Sequence, residues 1–159
     1  MAVVSNSNRS AVERLEVRAP ALAAIIVQLL GLLPAALRRK ALDGAFSRAA
    51  AAFNRGDLEA LFALFAEDVE YIPPPALRPP DSVVGCQAVI RFWRGVLQRY
   101  PQSSITNLSL TESEPNRFVR TARLVHRAGP DEELSYEIRQ TTELRGGRVI
   151  RQVNSASPS

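Results

Sequence analysis

The chain has 159 residues, 46% of them apolar and 23% charged, with a net charge of +4 and a pI near 10.0. Those values fit one globular domain with a genuine core, and no internal repeat or low-complexity segment beyond residues 49–52 interrupts it. The single cysteine, Cys86, excludes an internal disulfide and suits a reducing compartment.

Nineteen of the twenty basic residues are arginine and only Lys40 is lysine, a bias that points to a GC-rich bacterial genome because arginine codons are GC-rich. The arginines are spread over predicted helices and strands and do not gather with aromatics on one surface. No helix-turn-helix pattern or zinc spacing accompanies them, so no nucleic-acid partner is expected.

In chain order, residues 1–8 are polar and expected to be disordered, and residues 9–42 read as a helical extension. Within it residues 21–33 are apolar on every side apart from Gln28 and Gly31, and Pro34 stops the run before Arg38, Arg39 and Lys40. At about 1.5 Å per residue the run is roughly 20 Å long, short of the roughly 30 Å hydrocarbon core of a bilayer, so no transmembrane segment is expected. A secretory leader needs a basic flank before its apolar run; Glu13 and Glu16 spoil that flank, and the basic triplet follows instead. A cytoplasmic protein is therefore expected, with membrane-surface contact as the alternative. A helix apolar all round must be covered by something. The domain's own helical layer or the same helix of a second subunit would cover it, and a homodimer is the expected assembly.

The next domain, residues 43–156, opens with a helix stopped at Gly56, where glycine can take the left-handed backbone. Asp57 then caps a second, short helix that leads into the apolar run 61–65. Residues 68–73 read as a strand closed by prolines, and residues 73–80 as a rigid Pro-rich loop. A helix over 86–100 carries Val89, Ile90, Trp93, Val96, Leu97 and Tyr100 at helical spacing, a stripe that reads first as core. Cys86 opens that helix, where the dipole can lower a thiol pKa; a small, partly buried residue is the plainer reading.

Four strands follow, over 104–112, 117–127, 133–145 and 148–156, with short connections that make an antiparallel meander. The last hairpin decides which side chains share a face. A two-residue Gly146-Gly147 loop pairs Leu144 with Val149 and Thr142 with Arg151. A three-residue loop with Gly147 left-handed at a bulge pairs Leu144 with Arg148 and Thr142 with Ile150. The second is preferred. It gathers Tyr136, Ile138, Gln140, Thr142, Ile150, Gln152 and Asn154 on one side and leaves Glu137, Arg139, Glu143 and Arg151 in water. For strand 117–127 both parities remain open: Phe118, Ala122 and Leu124 inward, with Arg120 and His126, or Val119, Thr121 and Val125 inward.

The order of elements, with the motifs Asn54-Arg55-Gly56-Asp57 and Asp68-Val69-Glu70-Tyr71, resembles the nuclear transport factor 2-like superfamily in its SnoaL-like, polyketide cyclase-like branch, over residues 45–155. The resemblance implies an α+β fold in which a cone-shaped, curved antiparallel sheet packs on three helices, here with an extra N-terminal helical extension. It also implies that the amide-bearing face is the concave wall of a cone open to a small molecule. Tyr71, Trp93, Tyr136, Ile138, Gln140, Thr142, Ile150, Gln152 and Asn154 are the expected ligand pocket.

Chemistry is harder to find. The superfamily's steroid isomerases use a helix tyrosine, an aspartate base and a protonated carboxyl; those positions match Ala49, Pro73 and Gln140 here. The aspartates, Asp43, Asp57, Asp68, Asp81 and Asp131, all fall in helices, turns or strand entries. Glu70, Glu137 and Glu143 fall on the solvent side by strand alternation. No serine elbow, metal-ligand spacing or phosphate loop is present, so no cofactor or metal is expected. His126, the only histidine, is a weak catalytic candidate without a placed carboxylate. The expectation is a pocket protein for a small, largely apolar molecule. The alternatives are an isomerase, cyclase or hydrolase in the same cone, and a dimeric interaction module with a filled cavity.

Overall fold

The structure is a computed structural model that describes residues 8–157. The disorder expected for residues 1–8 falls almost wholly outside that range. Five helices and six strands follow in chain order: α1 Ala11–Arg18, α2 Pro20–Leu30, α3 Ala35–Asn54, α4 Leu58–Leu61, β1 Phe65–Ile72, β2 Val83–Val84, α5 Cys86–Arg99, β3 Gln102–Glu114, β4 Arg117–Gly129, β5 Glu132–Arg145 and β6 Arg148–Ala156. They form one mixed α+β fold with a curled six-stranded sheet in the order β2-β1-β6-β5-β4-β3. All neighbours are antiparallel except β1 and β6, which run parallel.

Local chemistry sets the helix ends. Ser10 and Glu13 form a capping box at α1, each side chain meeting the other's backbone amide. Pro20 opens α2, where a missing N–H costs nothing. Gly56, at φ 73°, turns the chain, and the Asp57 carboxylate accepts from the Ala60 amide to cap α4. That helix is a single turn. Phe65, expected at the end of an apolar run behind it, instead begins β1, because the parallel ladder to β6 takes it up opposite Val149. The domain division expected at residues 42 and 43 falls inside α3, a continuous helix that begins directly after Pro34.

The last hairpin follows neither expected register. Gly146 and Gly147 both have positive φ, 60° and 72°, and form a two-residue turn that pairs Arg145 with Arg148 and Leu144 with Val149. A bulge at Ile150 then restores the parity, so Thr142 faces Gln152 and Gln140 faces Asn154. The three-residue loop is thus corrected: the extra residue lies one pair further along β6, and Val149 takes the inward position assigned to Ile150. The same face continues onto β4 with Phe118, Arg120, Ala122, Leu124 and His126 all buried, which settles that strand's parity.

Outside the cone, Arg123–Glu137, Arg127–Glu133 and Arg151–Glu70 pair at 2.7, 2.6 and 2.8 Å in solvent. Such exposed pairs add little. Inside, Phe53, Val69, Val89, Ile90, Trp93, Leu124 and Ile138 form the core between the sheet, α3 and α5. The extension is tied to this body by ion pairs, among them two at its first helix. Arg9 grips Asp57 with bonds of 2.6 and 2.7 Å, and Arg55 binds Glu13. Gly147 passes so close beneath α2 that a Cβ there would lie 2.0 Å from the Ala24 carbonyl oxygen.

Candidate functional site

A cavity of about 200 Å³ lies between the inner face of the sheet, α3 and the N-terminal helices. Its wall is mostly apolar: Phe46, Phe53, Phe118, Leu124, Ile138 and Val149 contribute, as does Val27 of α2. Seven of the expected pocket residues line it: Tyr71, Trp93, Ile138, Gln140, Thr142, Gln152 and Asn154. Ile150 and Tyr136 do not. Ile150 is the bulged residue, and Tyr136 is turned to another partner.

The polar groups of the wall hold one another in fixed directions. Trp93 Nε1 donates to the Tyr71 hydroxyl at 2.9 Å, and Gln152 Nε2 donates to Thr142 Oγ1 at 3.0 Å. Asn154 Nδ2 donates to the Ile72 carbonyl at 2.8 Å, which can only accept; the amide is therefore oriented, and its Oδ1 accepts from Gln140 Nε2 at 2.8 Å. That leaves Gln140 Oε1 buried without a partner. Burial pushes the Tyr71 phenol well above its ordinary range, so it stays neutral and can serve only as a hydrogen-bond group.

His126 lies in the core beneath this site and does not line the cavity. Its Nδ1 meets Ser103 Oγ at 2.8 Å and its Nε2 meets the Tyr136 hydroxyl at 2.9 Å. The Ser103 hydroxyl donates to the Tyr100 carbonyl, so Nδ1 must donate to Ser103 and Nε2 must accept from Tyr136. One neutral tautomer satisfies every group in the chain. The rings of Phe53, Trp93, Tyr100 and Tyr136 surround it, and burial lowers its pKa to about 4. Cys86 is likewise quiet: its thiol donates to the Phe62 carbonyl and burial pushes its pKa up, opposite to what a nucleophile needs.

Sequence reasoning missed what α1 and α2 bring. Glu13, Glu16 and Val27 line the cavity, so the extension is part of its wall. Glu13 is engaged by Ser10 and Arg55. Glu16 is half-buried, and desolvation raises its carboxyl despite Arg48 nearby. Arg120 also lines the wall; the sequence placed it inward in only one of the two parities left open for this strand, and the expected pocket did not include it. Among the described residues no group of three or more His, Cys, Asp or Glu is placed to hold a metal ion, and no helix is long and apolar enough to cross a membrane.

The sheet order, the cone and the cavity inside it are those of a nuclear transport factor 2-like fold. The sequence model of the SnoaL-like domain matches residues 46–152, and the chain belongs to that family. No curated protein matches it significantly. Among solved structures, it is similar to an NTF2-like protein of unknown function from Burkholderia pseudomallei, with 20% identity, TM-score 0.61, and coverage of 72% of this chain and 88% of that one. It is also similar to a Mycobacterium tuberculosis protein in complex with estradiol-17beta-hemisuccinate, with 18% identity, TM-score 0.61, and coverage of 69% and 88%. A third is TerC co-crystallized with polyporic acid, at 15% identity, TM-score 0.60, and coverage of 72% and 89%. At these identities the likeness is one of fold.

Proposed function

We propose that this chain is a small-molecule pocket protein whose cavity takes a largely apolar ligand and performs no reaction on it. The observation that carries the reading is the mainly apolar cavity with a few oriented polar groups, Tyr71, Gln140 and Asn154, on its wall. Ligand sites have this composition: apolar surface supplies most of the affinity, at about 25 cal/mol per Å² buried, and a few polar groups supply orientation. The polyporic acid and estradiol hemisuccinate complexes of two neighbours support a ring-bearing ligand. His126, satisfied at both nitrogens, is here a core group that does no chemistry. In calorimetry, naphthalene-sized ring compounds should bind the full chain with one site per protomer, and Ala49→Phe, which fills the cavity, should abolish the heat. Binding that survives Ala49→Phe would place the site elsewhere.

We further infer a cytoplasmic homodimer. The outer face of α2 exposes Leu22, Ile25, Ile26 and Leu29, and a second copy is the cover that this face calls for.

The enzymatic reading, an isomerase, cyclase or hydrolase in the same cone, has one observation in its favour. Glu16 is a cavity-lining carboxyl with a pKa raised by burial, as a general acid or base requires. A substrate whose turnover collapses in Glu16→Gln would establish that reading in place of ours.

A further inference from the structure

Arg120 is the anomaly of the cavity. It lines an apolar pocket from β4, the residue is only 6% exposed, and it forms no ion pair among the described residues. Residues 1–7 and 158–159 carry no acidic side chain that would supply one. Its contacts are all neutral. Nη1 donates to Asn107 Oδ1 at 3.0 Å, the guanidinium lies 5.1 Å from the centre of the Phe46 ring, and Nε has no partner. The two acids on the cavity lining, Glu13 and Glu16, lie on α1; Glu13 pairs with Arg55, and the charge of Arg48 acts on Glu16.

A buried cation without a counter-charge is costly, because neither a ring face nor an amide oxygen replaces the water it has lost. Desolvation lowers the Arg120 pKa to about 10, which leaves it charged at neutral pH. The group is also held in place. Asn107 Nδ2 donates to the Phe46 carbonyl at 3.1 Å, which fixes the amide so that its oxygen faces Arg120. Directly across the ladder, Gln140 presents its unpartnered Oε1 on the same face of the sheet. Opposed residues of an antiparallel pair have Cβ atoms about 5 Å apart. A fixed, unpaired cation and an unpaired acceptor thus stand side by side on the inner face of the sheet.

We infer that the ligand is an organic anion: an apolar ring or chain bearing one carboxylate or enolate-type oxygen that pairs with Arg120, beside a donor group that Gln140 Oε1 accepts. The inference rests on the cavity being a ligand site. An anion completes the guanidinium's coordination with charge-assisted bonds that the chain itself leaves unmade. Gln140 Oε1 repels an anionic oxygen and so directs it to the Arg120 side.

The test is calorimetric titration of the full-length chain with naphthoate and with its neutral isostere, naphthamide. The carboxylate should bind at least about tenfold tighter in the unaltered protein. Arg120→Gln should erase that preference while leaving naphthamide binding within a few-fold, and Arg120→Lys should retain part of it. A nitrophenolate compared with its methyl ether reads the enolate-type arm, and a preference in either arm supports an anion site. Hydroxynaphthoate should exceed naphthoate, with the gain lost in Gln140→Leu; the absence of any gain would overturn the role given to Gln140. Equal affinity for anion and isostere in both arms, or a preference that persists in Arg120→Gln, would overturn the inference while leaving the pocket reading intact. If neither compound of either pair binds, the pocket reading itself fails, and this inference with it. The comparison in the unaltered protein needs no variant to fold.

Discussion

Arg9 and Asp57, 48 residues apart in sequence, join through two parallel charge-assisted hydrogen bonds of 2.6 and 2.7 Å, both side chains nearly out of solvent. Burial opposes the charge on Asp57, but the Arg9 bonds and the Ala60 amide outweigh it and hold the carboxyl below its ordinary pKa. One aspartate therefore caps α4 and latches the N-terminal helices over the cavity. Arg9→Ala leaves Asp57 with the Ala60 amide and with Arg55 as its remaining cation, at 3.5 Å, and is expected to destabilise the fold by about 3 kcal/mol. Hydrogen exchange should quicken across α1 and α2 before the core. A depressed carboxyl stabilises above its unfolded pKa, so the latch contributes fully above about pH 4 and is lost as the pH falls below it. Unchanged protection of α1 in Arg9→Ala would show that the latch holds nothing.

His126 sets a second pH window. Its pKa is about 4 in the folded chain and 6.5 when unfolded, so between those values the unfolded state binds the extra proton. Stability should therefore be full above pH 6.5 and decline as the pH falls toward about 4. Thermal denaturation across that range should show the decline, and His126→Phe, though destabilised by its stranded Tyr136 and Ser103 hydroxyls, should show a flatter slope. An identical slope in the variant would assign the titration elsewhere.

The two glycines of the β5–β6 turn should differ on substitution. Both have positive φ, which costs an alanine about 1 kcal/mol. At Gly146 the new Cβ would meet only the end of the Gln28 side chain, at 3.5 Å, whereas at Gly147 it would meet the Ala24 backbone at 2.0 Å. Gly147→Ala should consequently cost several times as much as Gly146→Ala in chemical denaturation and loosen α2. Equal costs would mean that α2 does not rest on the turn.

The exposed face of α2 makes its own prediction. Ile25 is 52% and Leu29 57% exposed. Sedimentation of the full chain should give a dimer mass, and Leu29→Glu should give a folded monomer, because a charge in an apolar interface costs more than it does in water. A monomer before substitution would leave that face without the proposed partner.

Much of the fold was legible because it follows from short-range rules. Gly56 and Asp57 mark the α3–α4 turn, the stripe on α5 has helical spacing, and the strands alternate. The hairpin register was not legible. A two-residue turn and a bulge together give the same binary pattern as a three-residue loop, and only the ladder between Thr142 and Gln152 separates them. The amide cluster survived because both routes keep Gln140, Gln152 and Asn154 in phase, while Ile150 gave its inward place to Val149. The parity of β4 depended on whether a sheet would bury Arg120 and His126. Binary patterning argues against burying either, and the partners that allow it, Asn107, Phe46, Ser103 and Tyr136, come together only in the folded chain. The closing of the cavity by α1 and α2 rests on the long-range contacts of Arg9 and Gly147, which no local pattern encodes.

Trp93, the only tryptophan, offers the most direct test of the cavity as a ligand site, because its indole N–H donates to Tyr71 on the cavity wall and gives a single nitrogen-coupled proton resonance. In a titration of the isotope-labelled full chain with naphthoate, that resonance should shift and saturate with one ligand per protomer, together with the side-chain amides of Gln140 and Asn154. An indole signal that stays fixed while surface amides move would contradict the account.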